Sequence, residues 1–177
     1  MEKLQKYIFP FAMLIFVILL SMGITHITQP ERPPDAPIIA GWKHVASDRI
    51  GNEYYIDADS IVRDEAAEGE LRFSAKYRKV YSDRGREALA QAYAGSGIDT
   101  AQMNDVDYEI DVMHFRDIDG EKFVTSTEST FYKSDDTEIP ALRMSGTFDE
   151  GDYMHALPGK SVGELLYDYA YTRVNKD

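Results

Sequence analysis

Along residues 70–81 the chain alternates strictly. Leu71, Phe73, Ala75 and Tyr77 fall on one side and Arg72, Ser74, Lys76 and Arg78 on the other. A period of two is the mark of a strand with one buried face, as in an antiparallel sheet. A second alternating run begins at Val106, and its spacing predicts Tyr108, Ile110 and Val112 facing inward, with Asp107, Glu109 and Asp111 turned to water. Asp119-Gly120 is a tight-turn pair, so residues 121–133, rich in Thr, Ser and Phe, return as the second arm of a hairpin. Two shorter strands precede these, over 42–47 and 53–58. In the latter Tyr54 and Ile56 share one face and Tyr55 takes the other.

Helical spacing interrupts the strands twice. Ser82 or Asp83 caps a helix running through Tyr93, whose apolar stripe is Ala88, Leu89, Ala92 and Tyr93, and Gly95 and Gly97 stop it. Residues 134–151 are polar, contain Pro140 and read as a loop, with a short strand over 153–156 at its end. Ser161 and Glu164 then form a capping box. Val162, Leu165, Leu166 and Tyr169 recur at helical spacing behind it, which places Tyr169 inward and leaves Tyr167 or Tyr171 more exposed. The order of strands, helix, strands, helix predicts an α+β domain: a mostly antiparallel β-sheet with a mid-chain helix and a C-terminal helix packed on it.

The N-terminal pattern is different. Eighteen residues bounded by Tyr7 and Ile24, YIFPFAMLIFVILLSMGI, carry no charge, and the uncharged stretch continues to Pro30. A bilayer core takes about 20 helical residues, so this segment is expected to be a transmembrane helix and the chain's membrane partner. Lys3 and Lys6 precede it and Glu31, Arg32 and Asp35 follow it, which places the rest of the chain outside the cytoplasm. Ser21 and Gly23 have the small side chains a signal-peptidase site uses, so secretion after cleavage is the alternative. Pro30, Pro33, Pro34 and Pro37 predict an extended tether. The expected organisation is a stub and anchor over 1–24, a linker over 25–39 and an extracytoplasmic domain over 40–177.

Charge and composition then narrow the function classes. The net charge is −12, from 19 basic and 31 acidic residues. Such a surface repels phosphate backbones, so nucleic acid is excluded as a partner. With no cysteine, thiol catalysis, disulfides and cysteine-based zinc sites are ruled out. Twelve tyrosines lean the composition towards sheet and offer side chains favoured at interfaces.

No pattern of catalytic residues is legible, and the expected set of catalytic, cofactor-binding and metal-binding residues is empty. His26, His44, His114 and His155 are scattered and no Gly-x-Ser-x-Gly elbow accompanies them. Asp57, Asp59 and Glu68 imitate a calcium loop, but Ile61 stands where an oxygen ligand belongs and Val62 replaces the turn glycine. These aspartates read instead as turn caps. Asp117, Asp119 and Glu121 fit a hairpin turn, and Gly95-Ser96-Gly97 follows a helix instead of opening one.

With Trp42 on the first strand, Tyr55-Ile56-Asp57 followed by Ser60-Ile61, and Pro158-Gly159-Lys160-Ser161 with Leu165, Leu166 and Tyr169, the chain resembles the surface-adhesin E family of small exported bacterial domains. The resemblance spans most of residues 42–171. It implies an antiparallel sheet with a helix against it and adhesion to a protein, although members commonly carry a cysteine near the terminal helix that is missing here. The expected function is a membrane-tethered, non-catalytic binding module of the bacterial envelope with a protein or polymer ligand. A structural or regulatory subunit beside another envelope protein and an uncharacterised hydrolase are the alternatives.

Overall fold

The computed structural model describes residues 36–94, 98–145 and 155–175. The apolar segment between Tyr7 and Ile24, the linker up to Asp35, Gly95 to Gly97, and Tyr153 at the start of the last expected strand lie outside the described residues. Among the described residues no helix is long and apolar enough to cross a membrane.

The described chain forms one antiparallel sheet: β1 (Trp42–Ser47), β2 (Glu53–Asp57), β3 (Val62–Asp64), β4 (Glu70–Val80), β5 (Tyr108–Ile118), β6 (Glu121–Tyr132), β7 (Met144–Ser145) and β8 (His155–Ala156). The spatial order is β1-β2-β4-β5-β6-β7, with β3 pairing β4 and β8 pairing β6. Helix α1 (Asp83–Tyr93) follows β4, and helix α2 (Val162–Val174) closes the described chain. The α+β architecture, the hairpin and both helices thus match the sequence pattern. The hairpin turns where Asp119 and Gly120 adopt φ of 52° and 86°, and Asp117 Oδ1 accepts from the Gly120 N–H.

Both helices sit on one face of the sheet. Across β4, β5 and β6 that face is built of rungs: Phe73, Phe115 and Val124; then Ala75, Met113 and Ser126. Phe73 and Phe115 stack at 5.0 Å between centroids, and Tyr167 of α2 packs against both. Val162, Leu166, Tyr167 and Ala170 are the buried side of α2. This corrects the expected stripe: Tyr167 is the buried tyrosine, Tyr169 is half-buried and Tyr171 is exposed. Tyr167 is drawn inward because its hydroxyl donates to Asp117 Oδ2 at 2.6 Å. The capping box is also modified. Ser161 Oγ accepts from the Glu164 N–H, but the Glu164 carboxylate reaches back to the Lys160 N–H at 2.5 Å.

The second expectation to fall is the phase of β5. Glu109 and Asp111 point to the helix-covered face and are buried, while Tyr108, Ile110 and Val112 point to the opposite face. The cause is downstream. Met113 and Phe115 complete the aromatic rungs, and a strand of period two that puts them inside must also put 109 and 111 inside. Thr127 is an extra residue in β6, inserted where the register shifts between Val112 and Met113.

At the other end of the covered face, Leu89 and Tyr93 of α1 pack with Tyr81, Met103, Val106 and Phe131. A polar latch fixes the start of α1. The Asp48 carboxylate accepts from Asn52 Nδ2 and the Tyr54 hydroxyl, and Asn52 Oδ1 accepts from the N–H of the cap residue Ser82. Gly85 leaves room for this latch, since a Cβ there would lie 1.8 Å from Asn52 Oδ1. In an open helix Gly→Ala gains about 1 kcal/mol. Here Gly85→Ala is expected to lose about 2–4 kcal/mol through overpacking and broken buried hydrogen bonds. Chemical denaturation checks this, and a stabilised variant would show that the latch yields.

Candidate functional site

Two groups of side chains, one on each face of the sheet, carry the described domain's chemical potential. The first is buried. Beyond the Ala75 rung, the covered face turns polar: Tyr77, Asp111 and Ser129 form the next rung, then Lys79, Glu109 and Phe131. Glu109 accepts from the Tyr81 hydroxyl at 2.6 Å and the Tyr77 hydroxyl at 3.2 Å, and Lys79 Nζ lies 3.7 Å from its carboxylate. The ammonium also sits 4.3 Å from the Tyr81 ring centroid. Asp111 is 0% exposed, and neither of its oxygens closes a hydrogen bond.

Two carboxylates and one ammonium leave this cluster one negative charge too many for a dry interior. Burial, reinforced by the Glu109 charge, holds the Asp111 carboxyl well above the usual carboxylate range, and the Ser129 and Tyr77 hydroxyls and Lys79 offset only part of that. Burial and then the neighbouring carboxylates likewise push the Tyr77 and Tyr81 hydroxyls up, so both remain donors. The cluster thus places a carboxyl of raised proton affinity in the seam between the two apolar packings. Spacing put Glu109 and Asp111 in water, so sequence reasoning missed it. The signal available was Lys79, a charged residue continuing the inward row of β4.

The second group is the outward face. Its rungs are Arg72, Arg116 and Phe123; Ser74, His114 and Thr125; Lys76, Val112 and Glu128; Arg78, Ile110 and Thr130; and Val80, Tyr108 and Tyr132. Tyr55 of β2 lies beside Arg78. Arg72 and Arg116 converge on Glu70. Tyr108 and Tyr132 stack at 4.8 Å, and the Arg78 guanidinium lies over the Tyr108 ring at 3.5 Å. Burial lowers the affinity of His114 for a proton, and its Nε2 contacts Thr127 Oγ1 at 3.0 Å.

The residues weighed from sequence fall as follows. Asp57 caps a short 3-10 turn by accepting from the Asp59 N–H, the expected turn role, and Asp117 and Asp119 shape the hairpin. His44 is brought to Ser47 and Glu53 at a bulge of β1, a grouping that spacing did not reveal. It is not a nucleophile triad. Glu53 Oε2 accepts from Ser47 Oγ at 2.6 Å and meets His44 Nε2 at 2.5 Å, and Ser47 Oγ lies 3.5 Å from that same Nε2, so hydroxyl and carboxylate share one ring nitrogen. A triad requires the imidazole in the middle, with the hydroxyl on one ring nitrogen and the carboxylate on the other. Among the described residues no three His, Cys, Asp or Glu side chains converge to hold a metal.

The raised proton affinity of Asp111 has a measurable consequence. The folded-state affinity is raised above the unfolded one, so this group's contribution to stability is complete below its unfolded pKa. It falls as pH rises towards the folded value, by at most about 1.4 kcal/mol per pH unit. Asp111→Asn cannot ionise and lacks this slope. Wild type is therefore expected to lose stability relative to Asp111→Asn as pH is raised from 4 to 8, measured by urea unfolding. A pH-independent difference would contradict a buried neutral acid. Neither a protein-family model nor a curated protein sequence matches the chain, so the reading of function rests on these two faces.

Proposed function

We propose that the protein is a membrane-tethered, non-catalytic binding module of the bacterial envelope, adhesin-like in kind, and that the outward sheet face is its contact surface. The observation that carries this reading is the content of that face. Instead of the uniformly polar row of a solvated sheet, it presents half-buried Ile110, Val112 and Tyr132, the last stacked on the buried Tyr108, and the cations of β4. Apolar and aromatic groups interleaved with Arg are the composition of protein contact surfaces. The anchor proposed for the segment between Tyr7 and Ile24 and the proline tether behind it would hold this surface away from the bilayer, towards a protein or polymer ligand.

A photoreactive phenylalanine analogue placed at Ser74, in the middle of the outward face, tests this in intact cells. A control analogue goes at Glu87, on the exposed side of α1. Irradiation is expected to give a discrete higher-mass adduct from position 74 and not from position 87. Equal crosslinking from both positions, or none from position 74, would contradict a contact role for this face.

A further inference from the structure

Arg78 is a half-buried cation that no carboxylate among the described residues neutralises. Arg72 and Arg116 share Glu70, Lys79 meets Glu109, Lys122 meets Asp168, and Arg143 meets Glu128. Arg78 is half-buried in a chain with 31 acidic residues, yet it enters no ion pair among the described residues. Its guanidinium carbon stacks on Tyr108, whose own hydroxyl is turned away and donates to Asp136 at 2.7 Å. That stacking favours the charge but gives the in-plane N–H groups no acceptor, and Nε is buried without a hydrogen-bond partner. Buried donors are rarely left unmade, because each costs about 1–3 kcal/mol.

Two residues along the same row, Lys76 is exposed and enters no ion pair among the described residues. Alternate residues on one strand face stand about 7 Å apart, close enough for one ligand to meet both cations. Glu128, the acid on the Lys76 rung, is already engaged by Arg143 at 2.7 Å. In register beside the two cations lie Ile110 and Val112, both apolar.

We infer that Arg78 and Lys76 form a site for a carboxylate carried on an aliphatic stem. The planar guanidinium fork offers the edge-on, two-oxygen geometry that carboxylates match, and Tyr108 holds that fork in plane. Lys76 supplies the second charge, and Ile110 and Val112 receive the stem. A free short-chain dicarboxylic acid and a glutamate side chain of a partner present the same chemistry. This deepens the reading of the outward face as a contact surface and rests on it.

The test follows the Arg78 Nε–H resonance of the ¹⁵N-labelled full-length chain in non-ionic detergent, assigned by its loss in Arg78→Lys. Titrants are glutarate, a short glutamate-containing peptide and, at matched ionic strength, chloride. A carboxylate is expected to shift the resonance saturably where chloride does not. Lys76→Gln, an exposed substitution that leaves the core alone, is expected to weaken binding about fivefold, as for loss of one exposed charge contact. Saturation by glutarate identifies a free acid as sufficient. Saturation by the peptide alone identifies a partner's side chain. No saturable shift, a shift that chloride reproduces, or an affinity unchanged in Lys76→Gln overturns the inference. If position 74 still crosslinks in cells while Arg78 ignores carboxylates, the contact surface stands and only the carboxylate site falls.

Discussion

The register between β4 and β5 is the constraint on which the rest of the fold depends. Eleven consecutive residue pairs, from Glu70 with Ile118 to Val80 with Tyr108, tie the two strands. Because the side-chain period is two, a slip of one residue would exchange the two faces of β5. In the observed register Phe73 meets Phe115 and Ala75 meets Met113, which gives α2 an apolar floor for Leu166 and Tyr167. The same register forces Glu109 and Asp111 into the interior. Lys79, the Tyr77 and Tyr81 hydroxyls and the raised proton affinity of Asp111 are what make that burial tolerable.

The two apolar packings of the covered face are therefore not continuous. One lies under α2 and the other under α1, and the polar rungs of Tyr77, Asp111, Lys79 and Glu109 run between them. Tyr77 and Tyr81 bridge the seam by donating to the same carboxylate. A buried network of this kind contributes little net stability compared with apolar residues of the same shape, but breaking one member leaves an uncompensated charge. The Asp48, Asn52 and Ser82 latch does the complementary work at the edge, tying the β1–β2 turn to the start of α1.

Much of this was legible in the sequence, and the losses have specific causes. The strict alternation of Leu71 to Arg78, the Asp-Gly turn and the Ser82 and Ser161 caps are local signals, and each element they predict is present. The phase of β5 was not legible. Residues 106–112 and residues 113–115 give opposite phases, and only pairing with Phe73 and Ala75 decides between them. Tyr167 was misread for the same reason, since its hydroxyl is satisfied by Asp117, fifty residues away. The His44, Ser47 and Glu53 grouping depends on a bulge, which leaves no mark in spacing. The outward face was visible as a row of polar and basic residues on β4. Its apolar half on β5 came to light only with the register.

The two faces thus divide the domain's roles: one holds the helices and a buried carboxyl of raised proton affinity, the other presents aliphatics, a half-buried tyrosine and two cations that enter no ion pair among the described residues. The absence of cysteine from the sequence allows that division to be read directly, by introducing single cysteines and timing their alkylation by a maleimide in the folded protein. Cysteine at position 76 or 62 is expected to react at nearly the rate of an unfolded control, and cysteine at position 111 or 129 orders of magnitude more slowly, limited by opening of the domain. Fast labelling at 111 with protection at 76 would mean that the sheet is turned the other way, and the account of both faces would fail.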